Sequence, residues 1–180
     1  IIGHSMGEIS ASYADNSLTE KECMEACFIR AKLSIKAKEQ KYKGKMVVIG
    51  MKADVLTNII KELDCNLTNI GCYNSPDGLV LSGIEDEIDK ICQSLDKNTF
   101  IRFFDTDGIA YHSKLFLPFE EYILKELSLV ITNSKKWSDK FISTSNPANK
   151  YCNAIYHCDN ITKPVLFYQA LEQLEENSVI

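Results

Sequence analysis

A chain of 180 residues with 45% hydrophobic and 25% charged residues has the balance of an ordinary globular domain, not of a disordered, collagen-like or low-complexity one. No apolar run approaches the roughly 18 to 20 residues that cross a bilayer, and a formal net charge of −5 argues against a general nucleic-acid or membrane-surface binder. The chain opens on Ile1 within an apolar stretch and closes on Ser178-Val179-Ile180, so the expectation is a piece of a longer protein, cut at both ends.

In chain order, Ile1-Ile2 ends a strand, a Gly-rich turn follows, and small and apolar residues then suit a tightly packed helix. Asp15-Asn16-Ser17 is a loop. Thr19 and Glu22 form a capping box. Beyond it Met24, Cys27, Phe28, Ala31 and Ile35 recur at helical spacing, and the helix should end at the Lys-rich stretch before Gly44. The following segment reads as strand (Met46 to Met51), helix (Ala53 to Leu63, with Val55, Ile59, Ile60 and Leu63 inward) and strand (Thr68 to Tyr73). The turn Asn74-Ser75-Pro76-Asp77-Gly78 leads to a strand at Leu79 to Ser82. A helix at Glu85 to Leu95, with Ile88, Ile91, Cys92 and Leu95 inward, and a strand at Thr99 to Phe104 complete the unit. The order β-α-β-β-α-β is the ferredoxin-like motif. The fold expected is therefore α/β, with a ferredoxin-like (α+β) subdomain at 45–105 inserted in a core made of 1–44 and 106–180.

Past Gly108 the pattern is helical through Leu115, Phe119, Ile123, Leu127 and Val130. Phe141 to Ser145 reads as a strand and Tyr151 to Asn160 as a loop. Pro164 can open a helix at its first turn, with Phe167, Ala170, Leu171 and Leu174 as its apolar stripe. The 7 cysteines are odd in number and include no C-x-x-C pair, which points to reduced thiols in a cytoplasmic protein, not a disulfide framework. The densest ligand group, Cys152, His157 and Cys158, is thin for zinc, so no metal is expected. The sequons at Asn66 and Asn160 are read as chance.

Gly3-x-Ser5-x-Gly7 is the nucleophile-elbow pattern, in which a serine on a sharp strand-to-helix turn is held out toward substrate. The helix behind it aims backbone N–H groups at a developing oxyanion. Such a serine needs a base, and there are 3 histidines. His4 adjoins Ser5 and should point elsewhere; His157 sits in a polar stretch and should be exposed. His112, in Gly108-Ile109-Ala110-Tyr111-His112-Ser113, is favoured by elimination, although from the residues alone a structural histidine stays open.

These residues resemble a known family. GHSMGEISASYADNSLTEKECMEACFIRAKL looks like the nucleophile region of malonyl/acetyl acyltransferases, GIAYHS like their base motif, and NSPDGLVLSG like part of their ferredoxin-like subdomain. ISTSNP and NITKPVLFYQAL also have counterparts, and the nearest similarity is to the malonyl/acetyltransferase domain of animal-type fatty acid synthase. The resemblance covers essentially the whole chain. It implies an α/β-hydrolase-like acyltransferase core, with Ser5 as nucleophile and His112 as its base. Arg30 would grip the malonyl carboxylate with its planar fork; a surface ion pair is the alternative. The Asn160 backbone carbonyl would orient His112, making a dyad, and the Met6 N–H would be one oxyanion donor. A second donor would come from an upstream glutamine-containing loop outside this sequence, which leaves the activity of the isolated piece in question. Tyr111 would narrow the acyl pocket and disfavour methylmalonyl groups, unless it is simply core packing.

The implied reaction moves malonyl or acetyl from CoA to the phosphopantetheine thiol of an acyl carrier protein, in fatty acid synthesis. It needs no metal or redox cofactor in this domain. Implied partners are the carrier protein, acyl-CoA, a flanking ketosynthase and other synthase domains in a homodimeric parent. The alternatives are a polyketide synthase acyltransferase domain and a serine hydrolase of the α/β-hydrolase type, for which Asp105 or Asp107 would supply the acid.

Overall fold

The computed structural model describes residues 1–39, 41 and 43–175; the closing stretch Ser178-Val179-Ile180 lies outside them. The first helix, α1 (Gly7–Ala14), follows the elbow directly, and α2 (Glu20–Lys38) begins at the anticipated capping box. Thr19 Oγ1 accepts from the Glu22 N–H at 3.2 Å while the Glu22 carboxylate accepts from the Thr19 N–H at 2.7 Å. The buried face of α2 is Ala26, Ile29, Leu33 and Ala37, not the Met24–Phe28–Ile35 stripe read from the sequence. Those three side chains are exposed. Both sets fit a period near 3.6, so apolar spacing alone could not select between the two faces.

The middle of the chain forms β1 (Gly44–Gly50), α3 (Ala53–Glu62), β2 (Asn69–Tyr73), β3 (Gly78–Ile84), α4 (Glu85–Ser94) and β4 (Ile101–Phe104). The four strands make one sheet in the order β2-β3-β1-β4, every neighbouring pair antiparallel. Alternation along the strands sends Val47, Ile49, Leu79 and Leu81 to one face. There they pack with Leu56 of α3 and with Ile88 and Ile91 of α4. Leu56 takes the inward place expected of Val55, which is exposed. Met46 and Val80 fall on the opposite face and pack with Cys72, Val165, Tyr111 and Phe167. That second face carries the polar site described below.

A 3₁₀ turn at Lys114–Phe119 leads into α5 (Glu120–Val130). A two-stranded ribbon joins β5 (Lys135–Lys136) to β6 (Tyr151–Cys152). The segment expected as a loop is instead α6 (Ala154–Thr162), capped by Asn153, whose side chain accepts from the Tyr156 N–H at 2.9 Å. Pro164 stands two residues past the end of α6, and the short α7 (Phe167–Leu171) starts later than expected. Between them Val165 bridges Cys72 of β2, so the Pro164 region is extended. Phe141 to Ser145 forms no full strand; Ile142 makes a single parallel bridge to Ile2. Leu33, Phe116, Ile123, Leu127 and Tyr156 anchor a helical core separate from the sheet core.

Candidate active site

The elbow is set by a close approach at Gly3. A Cβ there would sit 2.5 Å from the carbonyl carbon of Gly7 and 2.6 Å from the Glu8 nitrogen, closer than any side-chain atom tolerates. Ser5 then turns in the left-handed region at φ 54°, a strained conformation for a non-glycine residue. The turn closes with the Gly7 N–H donating to the His4 carbonyl at 2.9 Å and the Glu8 N–H to the Ser5 carbonyl at 3.1 Å. Among the described residues the Met6 N–H has no acceptor within the protein. It lies at the start of α1 beside Ser5.

The hydroxyl of Ser5 lies 2.6 Å from His112 Nε2. His112 also has a left-handed backbone, φ 59°, and is 3% exposed. The polar side of the sheet holds its segment. Asn69 Nδ2 donates to the His112 carbonyl at 2.9 Å, and Ser82 Oγ to the Tyr111 carbonyl at 2.6 Å. On the ring's other side, Nδ1 lies 3.1 Å from the carbonyl of Lys163. A carbonyl only accepts, so Nδ1 carries the proton and Nε2 is left to accept from Ser5. Burial and the charge of Arg30 pull the His112 pKa down to about 4, against the pull of the Lys163 carbonyl. The ring is therefore neutral at pH 7, the form a general base needs.

The orienting carbonyl was expected from Asn160; the direct hydrogen bond comes from Lys163. Pro164 follows Lys163, and Asn160 lies one turn earlier in α6. The Asn160 carbonyl favours the protonated ring too, as a smaller effect. Its normal helical donor would be residue 164, which as proline has no N–H. The Asn160 side chain has a separate place. Its Oδ1 accepts from Arg30 Nη1, and its Nδ2 donates to the Ser5 carbonyl at 3.1 Å and to Ser145 Oγ at 2.7 Å. One buried amide thus joins Arg30 to the elbow.

Arg30 lines a cavity of 340 Å³ together with Ser5, Met6, Ser34, Tyr111 and Phe116. Burial draws its pKa down to about 10, which leaves the guanidinium charged at pH 7. Ser5 and Tyr111 also border a second cavity of 610 Å³, lined by His112, Cys72, Val80 and Phe104. Ser5 therefore stands where two hollows meet.

The other sequence candidates lie apart. His4 Nε2 bonds Asn74 Oδ1 at 2.8 Å and its ring meets Phe167 edge-on. His157 is fully buried, contrary to expectation, with Nε2 3.4 Å from Cys152 Sγ. Burial lowers its pKa to about 3. The exposed reading failed because the helix there was read as a loop. Cys158 turns to the carbonyl of Glu120, away from the Cys152–His157 pair. Asp107 pairs with Lys38, and Asp105 accepts from the Asp107 N–H; neither touches His112.

Glu8 was missed by sequence reasoning. It is fully buried, accepts from the Thr144 N–H at 2.6 Å, from Thr144 Oγ1 at 2.7 Å and from the Tyr156 hydroxyl. Burial raises its pKa in spite of these bonds. The same Thr144 Oγ1 also lies 2.7 Å from the Gly3 carbonyl, so its one proton is shared between the Glu8 carboxylate and that carbonyl. A lone acidic residue in the first turn of α1, next to the elbow, was the available signal.

The family model for the acyl transferase domain matches residues 1–180. Among curated proteins the chain is 31% identical over 180 residues to the highly reducing polyketide synthase frbB of Dothideomycetidae sp. (strain 11243). It is 32% identical over 184 residues to the highly reducing polyketide synthase easB of Emericella nidulans. These matches cover 97% and 98% of this chain but 7% of each relative. Among solved structures, the acyltransferase domain of phenolphthiocerol/phtiocerol synthase A from Mycobacterium bovis (BCG) superposes with a TM-score of 0.83. Its identity is 24%, over 94% of this chain and 63% of that one. The malonyl CoA-acyl carrier protein transacylase of Burkholderia pseudomallei gives 0.77 at 22% identity, over 95% of this chain and 58% of that one. With a family match along its whole length and this fold, the chain belongs to the acyl transferase domain family.

Proposed function

We propose that the chain moves a malonyl group from CoA to the phosphopantetheine thiol of an acyl carrier protein, through an ester on Ser5, as part of a polyketide-type synthase. The observation that carries the reading is the 2.6 Å Ser5–His112 contact beside a cavity that also holds Arg30. His112 Nε2 takes the Ser5 proton as Oγ attacks the thioester carbon. The Met6 N–H faces the developing oxyanion, and the CoA thiolate leaves with the proton returned by His112. The carrier thiol then attacks the acyl-serine by the same steps in reverse. Arg30 holds the malonyl carboxylate, and Tyr111 limits the space around the acyl α-carbon. These steps draw on side chains and backbone alone, with no resident cofactor.

The β-α-β-β-α-β order and the antiparallel sheet β2-β3-β1-β4 support reading 45–105 as a ferredoxin-like subdomain. Residues 1–44 and 106–180 would be the hydrolase-like core. Relatives named as polyketide synthases at 31% and 32% identity favour that setting over the animal-type fatty acid synthase expected from the motifs. Carrier protein, ketosynthase and other synthase domains in a cytoplasmic homodimer belong to the same proposal. A hydrolase reading would place a carboxylate on His112 Nδ1, where a backbone carbonyl stands instead. The test is partitioning: malonyl-loaded protein should pass its acyl group to holo carrier protein much faster than to water. Release mainly as free malonate would support the hydrolase and overturn the transferase.

A further inference from the structure

The second face of the sheet sets two polar side chains directly across from each other. Asn69 of β2 and Ser82 of β3 are antiparallel partners in register, so both project from the same face. Both reach the backbone around His112. Asn69 Nδ2 donates to the His112 carbonyl at 2.9 Å and to the Ile70 carbonyl at 3.0 Å, while Asn69 Oδ1 accepts from the Lys114 N–H at 3.1 Å. Ser82 Oγ donates to the Tyr111 carbonyl at 2.6 Å. Carbonyls only accept and a backbone N–H only donates, so the amide faces one way.

These bonds grip consecutive peptide units from Tyr111 to Lys114. The turn they hold is strained: His112 has φ 59°, a conformation that a non-glycine residue keeps only where its surroundings over-determine it. β2 is also tied to the group behind the ring. The Val165 N–H donates to the Gly71 carbonyl at 2.8 Å and the Tyr73 N–H to the Val165 carbonyl at 2.8 Å. Val165 stands two residues past Lys163, whose carbonyl faces His112 Nδ1. One strand therefore sets both the backbone of the base and the partner of its ring. Neither Asn69 nor Ser82 is among the residues lining the two cavities at Ser5, so any effect on the reaction passes through His112.

We propose that Asn69 is a positioning residue for the base: with Ser82 it fixes the left-handed turn at His112 and so keeps Nε2 in line with the Ser5 hydroxyl. The proposal rests on the reading of the chain as an acyltransferase acylated on Ser5. A base works only within hydrogen-bond reach of the proton it takes, and here Ser5 Oγ and His112 Nε2 are 2.6 Å apart. Without the Asn69 amide, the His112 carbonyl and the Lys114 N–H lose their partner and the turn can relax toward an unstrained φ. The ring is carried on that turn, so relaxation moves Nε2 away from Ser5. A misplacement of about 1 Å between reacting groups costs on the order of 100-fold in rate.

The experiment follows single-turnover acylation of Ser5 by malonyl-CoA on the intact protein, by intact mass, as a maximal rate and a half-saturating concentration. The variants are Asn69→Ala and Ser82→Ala, each alone and each combined with His112→Ala. Asn69→Ala should lower the maximal rate by on the order of 10- to 100-fold and leave the half-saturating concentration unchanged. Ser82→Ala, which deletes one hydroxyl, should act in the same direction by a smaller factor. In the His112→Ala background Asn69→Ala should cost nothing further, because Asn69 acts only through the base. A wild-type maximal rate in Asn69→Ala would overturn the proposal. So would an equal loss in the His112→Ala background, which would assign Asn69 to the fold at large. If circular dichroism shows Asn69→Ala unfolded, Ser82→Ala with and without His112→Ala decides by the same two outcomes. The wild type separates the two levels. If its Ser5 takes no acyl group, the acyltransferase reading itself fails; if it does and the variants match it, only the positioning role fails.

Discussion

Arg30 combines a retained charge with a partly enclosed position. Burial lowers its pKa only to about 10, and in the free protein Asn160 Oδ1 occupies part of its fork. A guanidinium has five N–H donors, so the remaining ones can pair with a carboxylate. The charge should matter for malonyl and not for acetyl, which has no carboxylate to desolvate. Arg30→Ala is expected to cut malonyl transfer by roughly 2 to 4 kcal/mol, the scale for truncating one partner of a buried charge pair. Acetyl transfer should be spared. Paired kcat/KM values for malonyl-CoA and acetyl-CoA check this, and equal losses for both substrates would assign Arg30 to the fold or to CoA. Arg30→Lys should recover only part of the malonyl rate, because an ammonium lacks the planar fork.

The turn from Ile2 into α1 depends on one missing methyl group. A Cβ at Gly3 would fall within 2.5 Å of Gly7 backbone, and backbone cannot move aside as a flexible side chain can. Gly3→Ala should therefore open the turn that holds Ser5. Circular dichroism and a denaturation midpoint would register the lost stability, and a wild-type midpoint with full acylation would refute the role given to Gly3. The elbow was legible in the sequence because G-x-S-x-G states a steric requirement directly. The four strands and two helices of the sheet unit were legible too, since turn residues such as Asn74 to Gly78 mark their ends. Two features were not. The α6 helix was concealed by polar residues, Asp159 and Asn160 among them, that are buried for their hydrogen bonds and not for hydrophobicity. The inward face of α2 was concealed by a second apolar stripe. The carbonyl of Lys163 had no signal in its own side chain; Pro164, which ends α6 and frees the preceding carbonyls, was the only pointer.

Across the whole molecule, burial fixes the charge states of two histidines from different parts of the chain. His112 and His157 are both neutral when folded, with pKa values drawn down to about 4 and about 3. An unfolded histidine titrates near 6.5, so below that pH the unfolded chain binds more protons and stability falls. The loss is on the order of 2 kcal/mol per histidine by pH 5. Glu8, raised by burial, acts in the opposite sense, so a variant isolates the effect best. His157→Phe should lose less stability than wild type between pH 7 and pH 5, by about that amount. Urea midpoints at the two pH values measure it, and parallel losses would show that His157 is not held neutral. The same folding brings Ser5, at the chain's start, to His112 in its second half and to Arg30 on a helix between. The direct test of that assembly is intact-mass analysis of the intact protein after brief exposure to malonyl-CoA, with Ser5→Ala beside it. The account predicts one malonyl adduct in the wild type, mapped to Ser5 by peptide fragmentation, and none in a Ser5→Ala protein of unchanged fold. An adduct that persists in Ser5→Ala, or one that maps to another residue, would contradict it.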